Sequence, residues 1–97
     1  MVWAGRFFAF NLQTIESSAP SAAGIYVLRR RGHLQSHWVQ VGAAEDLRAQ
    51  LTALAKGGDE RISKQLPTDF GFEVIRSAAQ RETRRRVLIG NLAPICP

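Results

Sequence analysis

Little in this sequence is suited to holding a soft metal or a disulfide. Among 97 residues there is one cysteine, Cys96, and two histidines, His33 and His37. A lone cysteine makes no internal disulfide, and two imidazoles far from it complete no zinc-type ligand set. Long apolar runs are missing too. Nothing approaches the roughly 20 residues a helix needs to cross a bilayer, so no membrane span is expected. The opening MVWAGRFFAFNLQ carries one charge and no apolar run ending in a small-residue cleavage site. It does not read as a signal peptide, and the cytoplasm is the default location. There is no internal repeat, and the only biased segment is the small-residue connector SSAPSAAG at 17–24. One domain over 1–97 is expected, with residues 1–23 packed on it as an N-terminal segment.

What is present is ordinary globular composition with a basic excess: 45% apolar and 22% charged residues, 13 Lys+Arg against 8 Asp+Glu, net +5. Six of the cations stand in two triplets, Arg29-Arg30-Arg31 and Arg84-Arg85-Arg86. Such clusters are the electrostatic footprint of polyanion binding, because neutralised phosphates release their counterions; they are equally the footprint of a solvated face.

Periodicity sets out the elements. Trp3, Phe7, Phe8 and Phe10 are apolar anchors, and Asn11 or Thr14 suits the cap of a short helical turn. From Gly24, Ile25, Val27 and Arg29 alternate with Tyr26, Leu28 and Arg30, a strand. Gly32 and His33 fit a turn, and a return strand over about Ser36–Val41 sets Trp38 and Gln40 on one side, Val39 and Val41 on the other, with Gly42 ending it. AAEDLRAQLTALAKGG then carries Leu47, Leu51 and Leu54 at helical spacing, with Glu45 and Asp46 in its first turn and Gly57-Gly58 as its stop. Residues 59–68 are polar apart from Ile62 and Leu66, with room for a short helix before Pro67. Phe70, Phe72 and Val74 alternate with Gly71, Glu73 and Ile75 as a third strand. A final helix over about Ala79–Asn91 aligns Arg81, Arg85, Leu88 and Leu92 before Pro94. The order is β-β-α-loop-β-α, an α+β fold.

GIY at 24–26, a second strand ending in VG at 41–42, then AAEDLRAQL, FGFEVI and RETRRRVLIGNLAPICP, in this order and spacing, resemble the GIY-YIG nuclease superfamily over nearly the whole chain. The likeness is strongest to its small stand-alone bacterial members. It implies a small three-stranded antiparallel sheet flanked by helices, with a phosphodiester-cleaving site on one face. Family members place the tyrosine of GIY and the first tyrosine of YIG near the attacking water and an arginine of the following helix against the phosphate. A glutamate of the last long helix holds one divalent metal, often with a terminal asparagine.

Matched by position, one of these roles survives. Tyr26 is the GIY tyrosine. Gln40 stands at the second tyrosine, and an amide hydrogen-bonds a phosphate or a water but makes no phenolate. The helix arginine falls at Gln50; Arg48 lies two residues away, roughly 200° around a helix, and faces elsewhere. The metal glutamate falls at Arg85, and a cation there repels Mg²⁺. Glu82, one turn earlier, is the weak candidate for a displaced ligand. The terminal asparagine falls at Pro97.

Three expectations follow. The first is a catalytically degenerate domain that binds DNA or RNA backbone through Arg29, Arg30, Arg31, Arg81, Arg84 and Arg85 without cutting it, using no cofactor. The second is a residual Mg²⁺-dependent endonuclease relying on Tyr26 and Glu82. The third is a protein-interaction or self-association module presenting Phe7, Phe8 and Phe10, should these not be core. His33 and His37 have no serine, cysteine or acid spaced to orient them, and Cys96 advertises no depressed pKa.

Overall fold

The structure, a computed structural model, describes residues 5–96. Trp3 and Pro97 lie outside the described residues. Eight elements follow in the order β1 (Phe8–Ala9), α1 (Leu12–Ser18), β2 (Gly24–Arg30), β3 (His37–Ala44), α2 (Leu47–Ala55), α3 (Glu60–Lys64), β4 (Asp69–Val74) and α4 (Ala78–Leu92). The strands form one antiparallel sheet in the order β1-β4-β2-β3.

The expected three strands are all present, and a fourth extends the sheet. Phe8 and Ala9 pair with Phe70 and Asp69. Two residues give no alternation to read, so this strand exists only because the β4 edge is there to receive it. Asn11, not Thr14, caps α1: its side chain accepts the Thr14 amide at 2.8 Å. Asp46, Asp59 and Ser77 cap α2, α3 and α4 in the same way, each accepting an early backbone N–H that the helix leaves unpaired. Asp46 is therefore a cap and not a first-turn residue, and Glu45 precedes the helix.

β2 is one of the two inner strands and is buried on both faces. Tyr26 and Leu28 point toward α1, α2 and α3, in a core shared with Ile15, Leu47, Leu51, Ile62 and Phe70. Ile25 and Val27 point the other way, under Leu88 and Leu92 of α4. Leu88 and Leu92 thus bury the stripe that their spacing indicated. Phe8 and Phe10 pack against the first core and Phe7 against the second. The phenylalanines proposed as an interaction strip are committed to packing.

Two readings of the hairpin change. β3 does not stop at Gly42 but continues to Ala44, pairing Ala43 with Ile25 and Ala44 with Gly24; alanines carry a weak strand signal and read as the start of the helix. The alternation of β3 is also broken. Leu28 pairs with Gln40 but Arg29 with Trp38, leaving Val39 as the extra residue of a bulge. Val39 therefore joins Tyr26 and Leu28 in the first core, while Trp38 and Val41 share the second.

After α4, Ala93 takes the left-handed conformation (φ 48°) and turns the chain back along the free edge of β3. There the Ile95 amide donates to the Trp38 carbonyl at 2.9 Å and the Cys96 amide to the Val39 carbonyl at 2.8 Å.

Candidate functional site

Tyr26 sits mid-strand in β2, opposite Gly42 of β3 and Phe72 of β4. Its ring lies across Gly42 so closely that a Cβ there would fall 2.7 Å from the ring Cε2 and nearer still to Cζ and the hydroxyl. Gly42 is a glycine because the phenol occupies the space a side chain would need. The Tyr26 hydroxyl donates to Gln40 Oε1 at 2.9 Å and receives a longer bond from Gln50 Nε2 at 3.4 Å. Three positions far apart in sequence meet here: Tyr26, Gln40 and Gln50 form one hydrogen-bonded group between the sheet and α2. Arg48 turns away, donating from Nε to the Ala19 carbonyl at 2.8 Å.

This phenol is closed off. Tyr26 is only 3% exposed, and both its donor and an acceptor site are used inside the protein. Burial pushes its pKa up from the ordinary 10.0, the Gln50 hydrogen bond opposing and the Asp59 charge adding to the rise. A folded-state pKa above the unfolded one favours the neutral form. Tyr26 therefore contributes stability in full below pH about 10, and that contribution is lost as pH rises through the folded value. Because Tyr26 is the only tyrosine in the chain, ultraviolet absorbance of phenolate reports on it alone. An alkaline titration is expected to show ionisation only above pH about 10 or together with unfolding. Reversible phenolate formation in the folded protein below that value would contradict this burial.

Arg85 and Glu82 lie elsewhere, on α4 across the sheet. Arg85 grips Glu82 with two bonds, Nε to Oε2 at 3.0 Å and Nη2 to Oε1 at 2.8 Å, and Arg86 adds a third at 3.1 Å. These guanidiniums hold the Glu82 carboxyl well below the usual carboxylate range, at about 2, the hydrogen bond from Arg85 being the main cause. Among the described residues no hydrogen bond or ion pair joins Arg85 or Glu82 to the Tyr26 group, and no group of three His, Cys, Asp or Glu side chains is placed to hold a metal ion.

The other arginines expected to bind nucleic acid also have internal partners. Arg29 makes a bidentate contact to Asp69 Oδ2, Nε at 3.2 Å and Nη2 at 2.8 Å, and its guanidinium lies 3.7 Å from the Phe7 ring centroid. Arg84 forks onto Glu73 at 2.9 and 3.0 Å. Arg81 donates to the carbonyls of Ile75 and Arg76, and Arg30 to that of Gln65. Arg31 reaches Asp69 only at 3.7 Å and keeps 69% of its side chain exposed. Nothing in the sequence marks Asp69 or Glu73 as an arginine partner. Their partners lie on another strand and another helix, and only register brings Asp69 opposite Arg29.

No family model and no curated protein sequence matches this chain. Solved structures do. The GIY-YIG N-terminal endonuclease domain of UvrC from Thermotoga maritima, bound to its catalytic divalent cation magnesium, superposes with a TM-score of 0.67 at 18% identity, covering 82% of this chain and 91% of that one. An asparagine-to-alanine point mutant of that domain gives 0.67 at 18%, covering 82% and 90%. A tyrosine-to-phenylalanine mutant gives 0.66 at 18% with the same coverage. The chain thus has the GIY-YIG domain fold. Among the described residues no helix is long and apolar enough to cross a membrane.

Proposed function

We propose that this GIY-YIG-like domain binds nucleic-acid backbone in the cytoplasm and does not cleave it. The observation that carries the reading is the Arg85–Glu82–Arg86 cluster. At the position matched to the metal glutamate stands a guanidinium, and the nearest carboxylate, Glu82, is already gripped by two arginines. These side chains do not fit a divalent cation, which would have to displace two guanidiniums from one carboxylate. The sealed Tyr26 hydroxyl supports the same conclusion, since a buried phenol with a raised pKa is a poor acceptor for a water's proton.

Binding is supported by charge that internal pairing leaves in place. Arg31 and Arg86 remain 69% and 75% exposed. Arg29, Arg30, Arg81, Arg84 and Arg85 are held more rigidly by their partners and contribute field more than direct contact. Two or three phosphate contacts would make the logarithm of affinity fall with that of salt at a slope of about −2 to −3.

The expected result is weak, sequence-independent binding to labelled DNA at about 50 mM salt that fades by about 200 mM, with the strands intact after incubation in Mg²⁺ or Mn²⁺. Metal-dependent cleavage, or no binding at the lower salt, would overturn the proposal.

A further inference from the structure

The turn joining β2 and β3 projects beyond the sheet with nothing over it. Residues 31–36 are all exposed, and Leu34 at 93% is the most exposed large apolar side chain among the described residues. Gly32 lies against the Gln35 carbonyl with no space for a Cβ, so the chain reverses tightly and carries Leu34 at its apex. The root of this hairpin is fixed. The Arg31 amide donates to Thr68 Oγ1 at 2.8 Å and the Thr68 amide to the Arg29 carbonyl at 2.8 Å. Arg30 Nη1 donates to the Gln65 carbonyl at 3.2 Å.

The loop tied down in this way presents a second leucine. Leu66 is 69% exposed and held at φ 52°, in the left-handed region that a leucine seldom adopts. A single exposed leucine needs no explanation. Two at one end of a sheet, one at a hairpin apex and one on strained backbone, cost the fold without contributing to its core. Arg30 and Arg31 stand at the same root, tied to Gln65 and Thr68 on either side of Leu66 in the chain, and the acid there, Asp69, is itself buried beneath Arg29.

We propose that the β2–β3 tip is a wedge for duplex nucleic acid. Arg31 seats on a phosphate with Arg30 adding field behind it, Leu34 enters a base step from the minor groove and unstacks it, and Leu66 packs beside it. Proteins that kink a duplex insert one apolar side chain between neighbouring base pairs while flanking cations hold the backbone, which is the chemistry gathered here. A lipid surface is held instead by a broad apolar face, and each of these loops offers one side chain. The inference rests on the backbone-binding reading above and adds the element that makes the contact.

The test uses the full chain, a duplex carrying 2-aminopurine, and Leu34→Ala, a change at a side chain without internal partners. Wild-type protein is expected to raise the probe's fluorescence on binding. The variant is expected to bind several-fold more weakly, with the same salt slope and no rise. Leu66→Gly relieves the left-handed backbone, so it is expected to melt higher yet bind less tightly, a combination that a purely structural role does not produce. Duplex binding and fluorescence indifferent to Leu34 would overturn the wedge and leave backbone binding standing. No duplex binding by wild type at low salt would overturn both.

Discussion

Replacing Gly24 with alanine is expected to cost about 3–5 kcal/mol, a large part of the stability of a domain this size. The new Cβ would overlap the Glu73 carbonyl oxygen and lie 2.8 Å from Leu47 Cδ1 and 3.0 Å from the Glu73 carbonyl carbon. None of these neighbours is free to yield. Glu73 is fixed by the β2–β4 ladder, where Gly24 faces Val74 and Ile25 faces Glu73, and the Ile75 amide is bonded to the Ala23 carbonyl. Leu47 is fully buried in the first core. Relief requires the two central strands to separate at this end, opening both cores together. Urea denaturation with an unchanged slope and a much lower midpoint is the expected readout. Gly90→Ala serves as the opposite control. Nothing lies within 4 Å of a Cβ at Gly90 on α4, and helix propensity alone predicts a gain of about 0.5–1 kcal/mol. A Gly24→Ala midpoint close to wild type would contradict the close approach of β2 and β4.

Asp69→Ala is expected to cost about 2–4 kcal/mol. Asp69 is 5% exposed and accepts both Arg29 contacts, with Arg31 at its other oxygen. Truncation would leave a guanidinium whose side chain is 22% exposed without an anion. Two more sources of stability share the site, the Arg29–Phe7 stacking and the meeting of β1, β4 and β2 at this residue. Because the loss comes mainly from the stranded cation, Arg29→Met with Asp69→Asn is expected to recover much of it, and a double-mutant cycle measures the coupling. Additive losses from the two sites would show that the pair does not act as a unit.

Much of the fold was legible in the chain. Leucines at 47, 51 and 54 and at 88 and 92 mark helix faces that are indeed buried, and Ile25 and Val27 separate from Tyr26 and Leu28 as strand alternation requires. What escaped depends on partners remote in sequence. β1 has no pattern of its own, the bulge at Val39 shows only when β3 is laid against β2, and Ala43–Ala44 are strand by pairing alone. The site divides along the same line. Matching by position singled out Tyr26, Gln40 and Gln50, and the structure joins them by hydrogen bonds. Counting arginines could not reveal that Arg29 and Arg84 are bound to Asp69 and Glu73, since charge runs carry no information about cross-strand partners.

The segment that follows α4 has a bearing on how this molecule meets its neighbours in solution. An outermost strand displays a row of unsatisfied amides and carbonyls, and any passing chain with an extended stretch is a template match for it. On β3 two of those carbonyls, of Trp38 and Val39, are already taken by Ile95 and Cys96, and Cys96 is anchored under Arg61 through its sulfur. The protein lays its own short bridge along β3 at the place where the bulge has already twisted the ladder, and so withholds that part of the border from intermolecular sheet growth.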